Sequence, residues 1–127
     1  MAGHVICLDT SYLILGLVAG SRESRELAGW IAMGERLVTP TLAWFEFLCG
    51  PVTAAQIETM RAFVHEVVPF GEAHAVVAAE LFNAAARKRS TRVDAMIGAI
   101  AIVADAPLAT NNKSDFRAFR SGGLRLV

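Results

Sequence analysis

The acidic residues are the side chains whose types and spacing could do chemistry in this chain. Four of them stand at or near the expected ends of strands: Asp9, Glu46, Asp94 and Asp115. Carboxylates crowded into one place repel one another, and some of them would hold protons at neutral pH. A divalent cation relieves that repulsion, and oxygen-only ligands select hard ions such as Mg²⁺ or Mn²⁺. Acidic sites of this kind commonly serve phosphoryl transfer.

Each of the three aspartates in this set also has a purely structural interpretation. Asp9 could cap the helix that follows it, and Asp94 could form a capping pair with Ser90 or Thr91. Asp115 could begin a helical turn. Taken singly, these interpretations are at least as good as a catalytic role.

Glu46 is the acid that shifts the balance towards chemistry. It lies in the segment AWFEFL, Ala43–Leu48, beside three aromatic residues. A carboxylate buried among such residues is costly unless it is paired or binds a metal. The alternative is that Glu46 points outward from a one-sided helix. The remaining aspartate, Asp105, stands before Pro107, where a turn role is sufficient.

Other familiar kinds of site do not occur in the sequence. His4, His65 and His74 are scattered, so no zinc spacing forms, and there is no glycine-rich phosphate loop, serine nucleophile elbow or CxxC motif. The two cysteines, Cys7 and Cys49, lie in apolar segments. We expect them to be buried, reduced thiols of a cytoplasmic protein rather than a disulfide.

The elements that must position the acids are short apolar strands alternating with helices. Strands are predicted at residues 5–8, 37–39, 67–70, 107–110 and 124–127. Helices are predicted at residues 12–19, 24–33, 40–48, 53–66, 72–89 and 94–104, with a helical turn at 115–119. This alternation indicates an α/β fold, with a central parallel sheet of about five strands and helices on both faces. Such sheets place their sites at the carboxyl ends of the strands.

Length and composition limit the class of protein that this chain can be. A chain of 127 residues predicts a single domain over residues 1–127, and 54% hydrophobic residues allow a large core. The uncharged run Ala95–Ala104 is shorter than the roughly 17–25 residues of a transmembrane helix, so it predicts a buried helix that is apolar all round. The N-terminal sequence MAGHVICLD does not resemble a signal peptide, which favours a cytoplasmic location.

A formal net charge of zero hides an uneven distribution of charge. Residues 1–86 hold nine acids and four Lys or Arg, whereas residues 87–127 hold three acids and eight Lys or Arg. The densest basic run comprises Arg87, Lys88, Arg89 and Arg92. Charge alone favours a solvated helix end, where cations suit the helix dipole, over a phosphate-binding patch.

Four short segments together resemble the four motifs of PIN-domain nucleases. They are LDTS at Leu8–Ser11, WFEFL at Trp44–Leu48, VDAMIGAIA at Val93–Ala101 and ATNNKSDF at Ala109–Phe116. No single motif is specific, but their order and spacing together are, and the resemblance runs over nearly the whole chain. The chain length and short strands most resemble VapC-type toxins of bacterial or archaeal toxin–antitoxin pairs.

The resemblance implies a PIN-like fold and an endoribonuclease that depends on Mg²⁺ or Mn²⁺. Matched position by position, the catalytic acids are Asp9, Glu46, Asp94 and Asp115, and the metal ligands are Asp9, Asp94 and Asp115. The supporting polar residues are Thr10, Ser11, Thr110 and Asn112. Some members of the family carry an aspartate where this chain has Asn112, and this departure concerns a second metal ion rather than the first.

The resemblance also implies partners. It favours RNA binding by Arg87, Lys88, Arg89 and Arg92, because this run leads directly into Asp94. A VapB-like antitoxin and a second copy of the chain are the implied protein partners. Apolar residues of the early helices, Leu13, Leu17, Trp30 and Ile31, could supply such surfaces, although core burial is the more frequent role of such side chains.

Two other functions remain open from the sequence. A flavodoxin-like phospho-accepting domain would suit Asp9 at a strand end, with Lys113 as its only candidate lysine, and labelling of Asp9 by a small phosphodonor would favour it. A non-catalytic PIN-like module that binds RNA or protein is motivated by Asn112. Failure of Mn²⁺ to stabilise the protein would favour that module.

Overall fold

A parallel sheet between two layers of helices forms the centre of the molecule. The computed structural model describes residues 3–127. The strands are β1 (Val5–Leu8), β2 (Arg36–Pro40), β3 (Glu66–Val68) and β4 (Leu108–Ala109), in the order β3-β2-β1-β4. Every neighbouring pair is parallel. The predicted α/β architecture, with a parallel sheet and helices on both faces, is confirmed.

Seven α-helices connect or follow these strands in the described residues. They are α1 (Thr10–Leu15), α2 (Arg22–Ala32), α3 (Thr41–Cys49), α4 (Ala54–Phe63), α5 (Glu72–Ala84), α6 (Arg92–Val103) and α7 (Lys113–Phe116), with 3₁₀ turns at Arg89–Thr91 and Arg117–Gly122. Polar caps set two of the starts. The Ser21 hydroxyl accepts the Ser24 N–H at 2.9 Å before α2, and Thr53 with Gln56 forms a capping box before α4.

The residues of β1 show how the sheet divides the core. Successive side chains of a strand point to opposite faces, so Ile6 and Leu8 pack against α1–α4. Cys7 points the other way and packs with α5, α6 and α7. β1 lies between β2 and β4, so the residue that follows it, Asp9, emerges in the middle of the carboxyl edge of the sheet.

The C-terminal end of the chain extends the sheet by one bridge, which two backbone hydrogen bonds to Leu108 form. The predicted strand at residues 124–127 is reduced to one parallel bridge between Leu108 and Leu126, beside β4. The backbone N–H of Val127 donates to the Leu108 carbonyl at 3.0 Å. Because β4 itself has only two residues, it offers little edge for a longer partner.

The end of α5 differs most from the prediction. The alanine-rich pattern predicted a helix as far as Arg89, but α5 ends at Ala84. Ala86 and Arg87 then adopt left-handed φ values of 63° and 55°, and the Arg87 N–H bonds the Phe82 carbonyl at 3.2 Å. This turn closes the helix in the way that a glycine usually does, so the sequence lacked the customary stop signal.

Two other helices are shorter than predicted. α1 ends at Leu15 rather than at residue 19, and the next residue, Gly16, is buried where a Cβ would collide with the Leu27 side chain. α4 ends at Phe63 rather than at residue 66. The chain must leave that helix early because the His65 N–H already bonds the Leu37 carbonyl at 2.8 Å to start β3.

The buried helix is confirmed with one qualification. In α6 the residues from Ala95 to Ala101, except the half-buried Met96, are buried, but Val93 and Val103 at its ends are exposed. In the described part of the chain no helix is long and apolar enough to span a membrane.

The cysteines and the early helices follow the predictions in part. Cys7 and Cys49 are both free thiols, as expected, but Cys49 is exposed, because it ends α3 on the solvent side. Leu13 is fully buried, so core burial is confirmed for it, whereas Trp30 is half-buried and stacks on Tyr12 with ring centroids 5.9 Å apart. Ile31 is 40% exposed.

Candidate metal centre at the carboxyl edge of the sheet

Asp9 is the most deeply placed acid of the edge. It follows the central strand β1 and is 4% exposed. The Thr110 hydroxyl, at the end of β4, donates to Asp9 Oδ2 at 2.7 Å. Asp9 occupies the N-cap position of α1, yet its side chain makes no capping hydrogen bond. The capping interpretation of the Asp9 carboxylate is therefore wrong, and this side chain faces β4 instead.

Asp94 stands in the first turn of α6 and is half-buried. The capping pair considered for it does not form, since α6 has no side-chain cap and the Thr91 hydroxyl donates instead to the Lys88 carbonyl at 2.7 Å. A carboxylate in the first turn still gains from the helix dipole. The rigid, buried α6 holds this carboxylate at the edge.

The pKa values of the two aspartates show that the acids interact. Burial raises the pKa of Asp94 to about 6, and the charges of Asp115, Asp9 and Glu46 add to the rise. Burial also raises the pKa of Asp9, with a smaller contribution from Asp115, while hydrogen bonds from Thr110 and Thr10 oppose the rise. The four acids therefore share one electrostatic environment, as their positions in the sequence predicted.

Glu46 reaches this environment from the solvent side. The expectation that it is buried among aromatic side chains is wrong, because α3 buries Ala43 and Phe47 and exposes Glu46. Its neighbour Phe45 is 66% exposed. The Thr10 hydroxyl lies 3.5 Å from Glu46 Oε2 and donates to it. Glu46 is thus an acid at the open mouth of the site.

Asp115 approaches from the short helix α7 and is exposed. Asn112 precedes α7, and its backbone N–H donates to Thr110 Oγ1 at 3.0 Å. The Asn112 side chain does not cap α7. The structure thus places Asp115 and Asn112 on the same short segment, immediately after the threonine that holds Asp9.

The remaining hydroxyls predicted as supporting residues make specific contacts. Thr10 donates to Glu46, as described, and Ser11 Oγ accepts the Asn111 N–H at 3.1 Å. The Thr110 hydroxyl donates its proton to Asp9 and accepts the Asn112 N–H on one of its lone pairs. The contacts of Thr110 and Ser11 fasten the loop after β4 to Asp9 and to the start of α1, and the contact of Thr10 joins α1 to α3.

The basic run covers the turn between α5 and α6 and the first residue of α6, and all four of its side chains are exposed: Arg87, Lys88, Arg89 and Arg92. The expected solvation is confirmed, but α5 ends at Ala84, so only Arg87, whose N–H bonds the Phe82 carbonyl, lies at the C-terminal end of that helix. Arg87 and Arg92 both lie over the Phe82 ring, 5.6 Å and 5.8 Å from its centroid. Arg87 also donates to the Asn83 side chain.

Sequence reasoning missed a group of residues beside Asp9. Asn111 Nδ2 donates to Glu23 Oε2 at 2.9 Å, and Arg22 donates to Asn111 Oδ1 at 2.8 Å. On the other flank, the buried Thr39 hydroxyl donates to the Leu8 carbonyl at 2.7 Å. The only sequence signal was the position of Asn111 directly after Thr110, since α2 carries no motif that points to this edge.

The donor set fits a hard divalent cation by its chemistry. All four side chains offer oxygen ligands, which suit Mg²⁺ or Mn²⁺. Their negative charges repel one another, and a bound cation would neutralise that charge. Within residues 3–127, however, no three acidic, histidine or cysteine side chains stand close enough together to hold one ion as they are. Glu46 and Asp115, the exposed members, are the side chains free to reorient.

Comparison with known proteins agrees with this architecture. A family model described as PIN domain matches residues 6–121. No curated protein matches the chain.

Several solved structures share the fold at low identity. A toxin–antitoxin complex from Klebsiella pneumoniae is 23% identical with a TM-score of 0.68, over 87% of this chain and 89% of that one. VapBC2 from Rickettsia felis, bound to a promoter DNA fragment, is 16% identical with a TM-score of 0.70, over 97% of each chain. VapBC-1 from nontypeable Haemophilus influenzae is 18% identical with a TM-score of 0.70, over 97% and 96%. Since the family model covers most of its length, the chain belongs to the PIN domain family.

Proposed function

We propose that this protein is a metal-dependent endoribonuclease and the toxin of a VapBC-type toxin–antitoxin pair. The observation that carries the proposal is that Asp9, Asp115 and Glu46 lie near enough to Asp94 for their charges to act on it, so that with burial its pKa rises to about 6. A fold gains no stability from crowding carboxylates in this way, so the arrangement is typical of a functional site. The solved structures with the same fold include VapBC complexes, which supports the toxin assignment.

The side chains would divide the work at the edge of the sheet. Asp9, Asp94 and Asp115 would hold Mg²⁺ or Mn²⁺, and Glu46 would act as a further ligand or orient a water molecule. Bound there, the cation would supply a water of lowered pKa and stabilise the leaving oxygen of a phosphodiester. Thr110 holds the Asp9 carboxylate in one direction, whereas the exposed Glu46, at 3.5 Å from the Thr10 hydroxyl, would be free to turn towards a cation.

The turn between α5 and α6 would bind the RNA backbone. Its cations precede Asp94 by a few residues, so phosphates held there would lie next to the acids. Arg87 and Arg92 are engaged with the Phe82 ring, whereas Lys88 and Arg89 make no such contact. We assign the first pair to shaping the turn and the second pair to contacting phosphate.

The toxin assignment brings further expectations. The protein would act in the cytoplasm, pair with a VapB-like antitoxin and form a homodimer. Exposed apolar side chains of α1 and α3, such as Ile14, Phe45 and Leu48, are of the kind that a protein partner covers. Induction of the chain alone should arrest growth, and induction of the Asp9→Ala variant should not.

Cleavage of RNA by purified protein tests the proposal. We expect cleavage with Mg²⁺ or Mn²⁺, no cleavage with EDTA, and loss of cleavage in Asp94→Asn. The matched control is Asp105→Asn, because Asp105 is exposed and pairs with Arg125 away from the acids. Cleavage by Asp94→Asn at the wild-type rate would contradict the assignment.

A non-catalytic PIN-like module that binds RNA or protein is the second candidate. It is favoured by Asn112, which replaces an acid of the family pattern, and by the spread of the acids in the described residues. Mn²⁺ at millimolar concentration should stabilise the nuclease against heat, since it binds only the folded chain. Absence of any stabilisation, together with intact RNA binding, would favour the binding module.

A further inference from the structure

The segment that follows β4 is fastened to α2 by side chains outside the acidic edge. Asn111 Nδ2 donates to Glu23 Oε2 at 2.9 Å, and Arg22 Nη2 donates to Asn111 Oδ1 at 2.8 Å. Arg22 Nη2 also donates to Glu23 Oε2 at 3.0 Å. The three side chains form a closed ring, in which the Asn111 amide satisfies an anion and a cation in one orientation only.

Glu23 is a well-prepared acceptor in this ring. It is 7% exposed and lies in the first turn of α2, where the helix dipole favours a negative charge. The hydrogen bond from Asn111 is the main cause that lowers its pKa, and Arg22 adds to the effect. Glu23 is therefore ionised at neutral pH, and its side chain has little freedom to move.

Asn111 connects this ring to the loop that carries the acids. Its neighbours in the chain are Thr110, which donates to Asp9 at 2.7 Å, and Asn112, whose N–H donates back to Thr110 Oγ1 at 3.0 Å. The Asn111 backbone N–H donates to Ser11 Oγ at 3.1 Å. A displacement of Asn111 would therefore disturb the hydroxyl that holds Asp9.

We infer that Glu23 and Asn111 are positioning residues for the metal site of the proposed function, on which this inference rests. Through their hydrogen bond, α2 holds the turn after β4 so that Thr110 stays against Asp9. Neither side chain needs to touch the metal or RNA. Partners of this kind, one contact removed from the ligands, typically change metal affinity by about 10–100-fold when they are lost.

Exchange of donor and acceptor tests the inference. Asn111→Asp sets a carboxylate against Glu23 and breaks their hydrogen bond, whereas adding Glu23→Gln supplies an amide donor opposite the new carboxylate. The matched control combines Asn111→Asp with Glu26→Gln. Glu26 lies on the same helix, pairs with Arg22 at 3.6 Å and accepts from the Tyr12 hydroxyl at 2.9 Å. Both double variants carry the same formal charge as the wild type.

Two measurements separate positioning from simple stability. Amide hydrogen exchange at Asn112 reports whether its hydrogen bond to Thr110 persists. Calorimetric titration with Mn²⁺ gives the dissociation constant of the metal site. In the Glu26 double variant, Asn111→Asp with Glu26→Gln, we expect the Asn112 amide to exchange about tenfold faster than in the wild type. The reason is the loss of the hydrogen bond from Asn111 to the charged Glu23. Its Mn²⁺ dissociation constant should rise about tenfold, while the Glu23 double variant stays within about threefold of the wild type. The melting temperature without metal checks that all variants fold.

Equal Mn²⁺ affinity in the two double variants would overturn the positioning role, even if the exchange rates differ. A wild-type chain that fails to bind Mn²⁺ would instead contradict the metal site itself, and this inference with it. RNA cleavage is measured separately, so an inactive protein that binds Mn²⁺ with the expected pattern of affinities would still support the role of Glu23 and Asn111.

Discussion

The Thr110 hydroxyl donates a hydrogen bond of 2.7 Å to Asp9 Oδ2 and so joins two residues 101 positions apart in the chain. Thr110 is 1% exposed and Asp9 is 4% exposed, so water cannot readily replace either partner. The bond links the loop after β1 to the loop after β4 across the centre of the edge. Among the hydrogen bonds that lower the pKa of Asp9, the one from Thr110 has the largest effect, and those from Thr10 have smaller ones.

Thr110→Val removes that hydroxyl while keeping the shape of the side chain. We expect the free energy of unfolding at pH 7 to fall by about 1–3 kcal/mol, because a buried acceptor loses its donor. The pKa of Asp9 should rise further, since Thr110 is the strongest influence that lowers it. Urea unfolding measures the first effect, with Thr110→Ser as the control that keeps the donor. If the valine and serine variants proved equally stable, the hydrogen bond would have no role in holding Asp9.

Substitution of Asp94 should stabilise the protein when no metal is bound. A carboxyl group whose pKa rises on folding, here from 3.8 to about 6, favours the folded state in its protonated form. That stabilisation is complete below pH 3.8 and is lost as the pH rises through about 6. In EDTA at pH 7.5 we expect the free energy of unfolding of Asp94→Asn to exceed that of the wild type by about 1–2 kcal/mol. This range allows for solvent screening of the half-buried carboxyl group.

The pH series provides the check on that expectation. The stability difference between Asp94→Asn and the wild type should shrink as the pH falls from 7.5 towards 4, where Asp94 is protonated in the folded chain. Asp105→Asn serves as control, since its exposed pair with Arg125 is worth little. A difference that stayed constant over this range would show that Asp94 does not titrate near pH 6.

Much of this edge was predictable because strand ends are visible in the sequence. Apolar runs that stop at a polar residue placed Asp9 and Thr110 correctly, and a parallel sheet brings such residues together. Asp94 was predictable from a different signal, the uncharged helical run that follows it within α6. The order and spacing of the four segments then identified the PIN domain family, which the matching family model confirms.

The errors arose where the outcome depends on contacts that no local pattern encodes. Glu46 was expected to be buried because its neighbours in sequence are aromatic, but Phe45 faces solvent on the outer side of α3. The end of α5 was misplaced because an alanine, Ala86, takes the left-handed role that glycine normally fills. The ring of Glu23 with Asn111 was missed because its members are 88 positions apart.

The unusual end of α5 leads to a prediction about stability. A non-glycine residue with φ of 63° is strained by its Cβ, so Ala86→Gly should relieve strain at that position. We expect it to be neutral or stabilising by up to about 1 kcal/mol, after the entropy cost of glycine. Ala84→Gly, two residues earlier at the end of the helix, should instead destabilise by about 0.5–1 kcal/mol. Thermal unfolding of the two variants compares them directly, and an equal loss of stability in both would contradict a strained turn at Ala86.

The same turn between α5 and α6 should contribute to RNA binding. If Lys88 and Arg89 contact phosphates, the double variant Lys88→Glu/Arg89→Glu should bind RNA more weakly and with a salt dependence lower by about two ion contacts. Binding is measured with a catalytically disabled Asp94→Asn background at several salt concentrations, so that cleavage does not intervene.

The control for this experiment is Arg25→Glu, at an exposed arginine of α2 whose guanidinium donates to the Gly20 carbonyl. It introduces the same change of charge as each member of the double variant, but outside the turn. Arg87→Ala and Arg92→Ala test the other half of the assignment. Because both guanidinium groups lie over Phe82, their loss should lower the melting temperature as well as the RNA affinity. If Arg25→Glu, with half the charge change, lowered the salt dependence half as much as the double variant, overall charge and not this turn would attract the RNA.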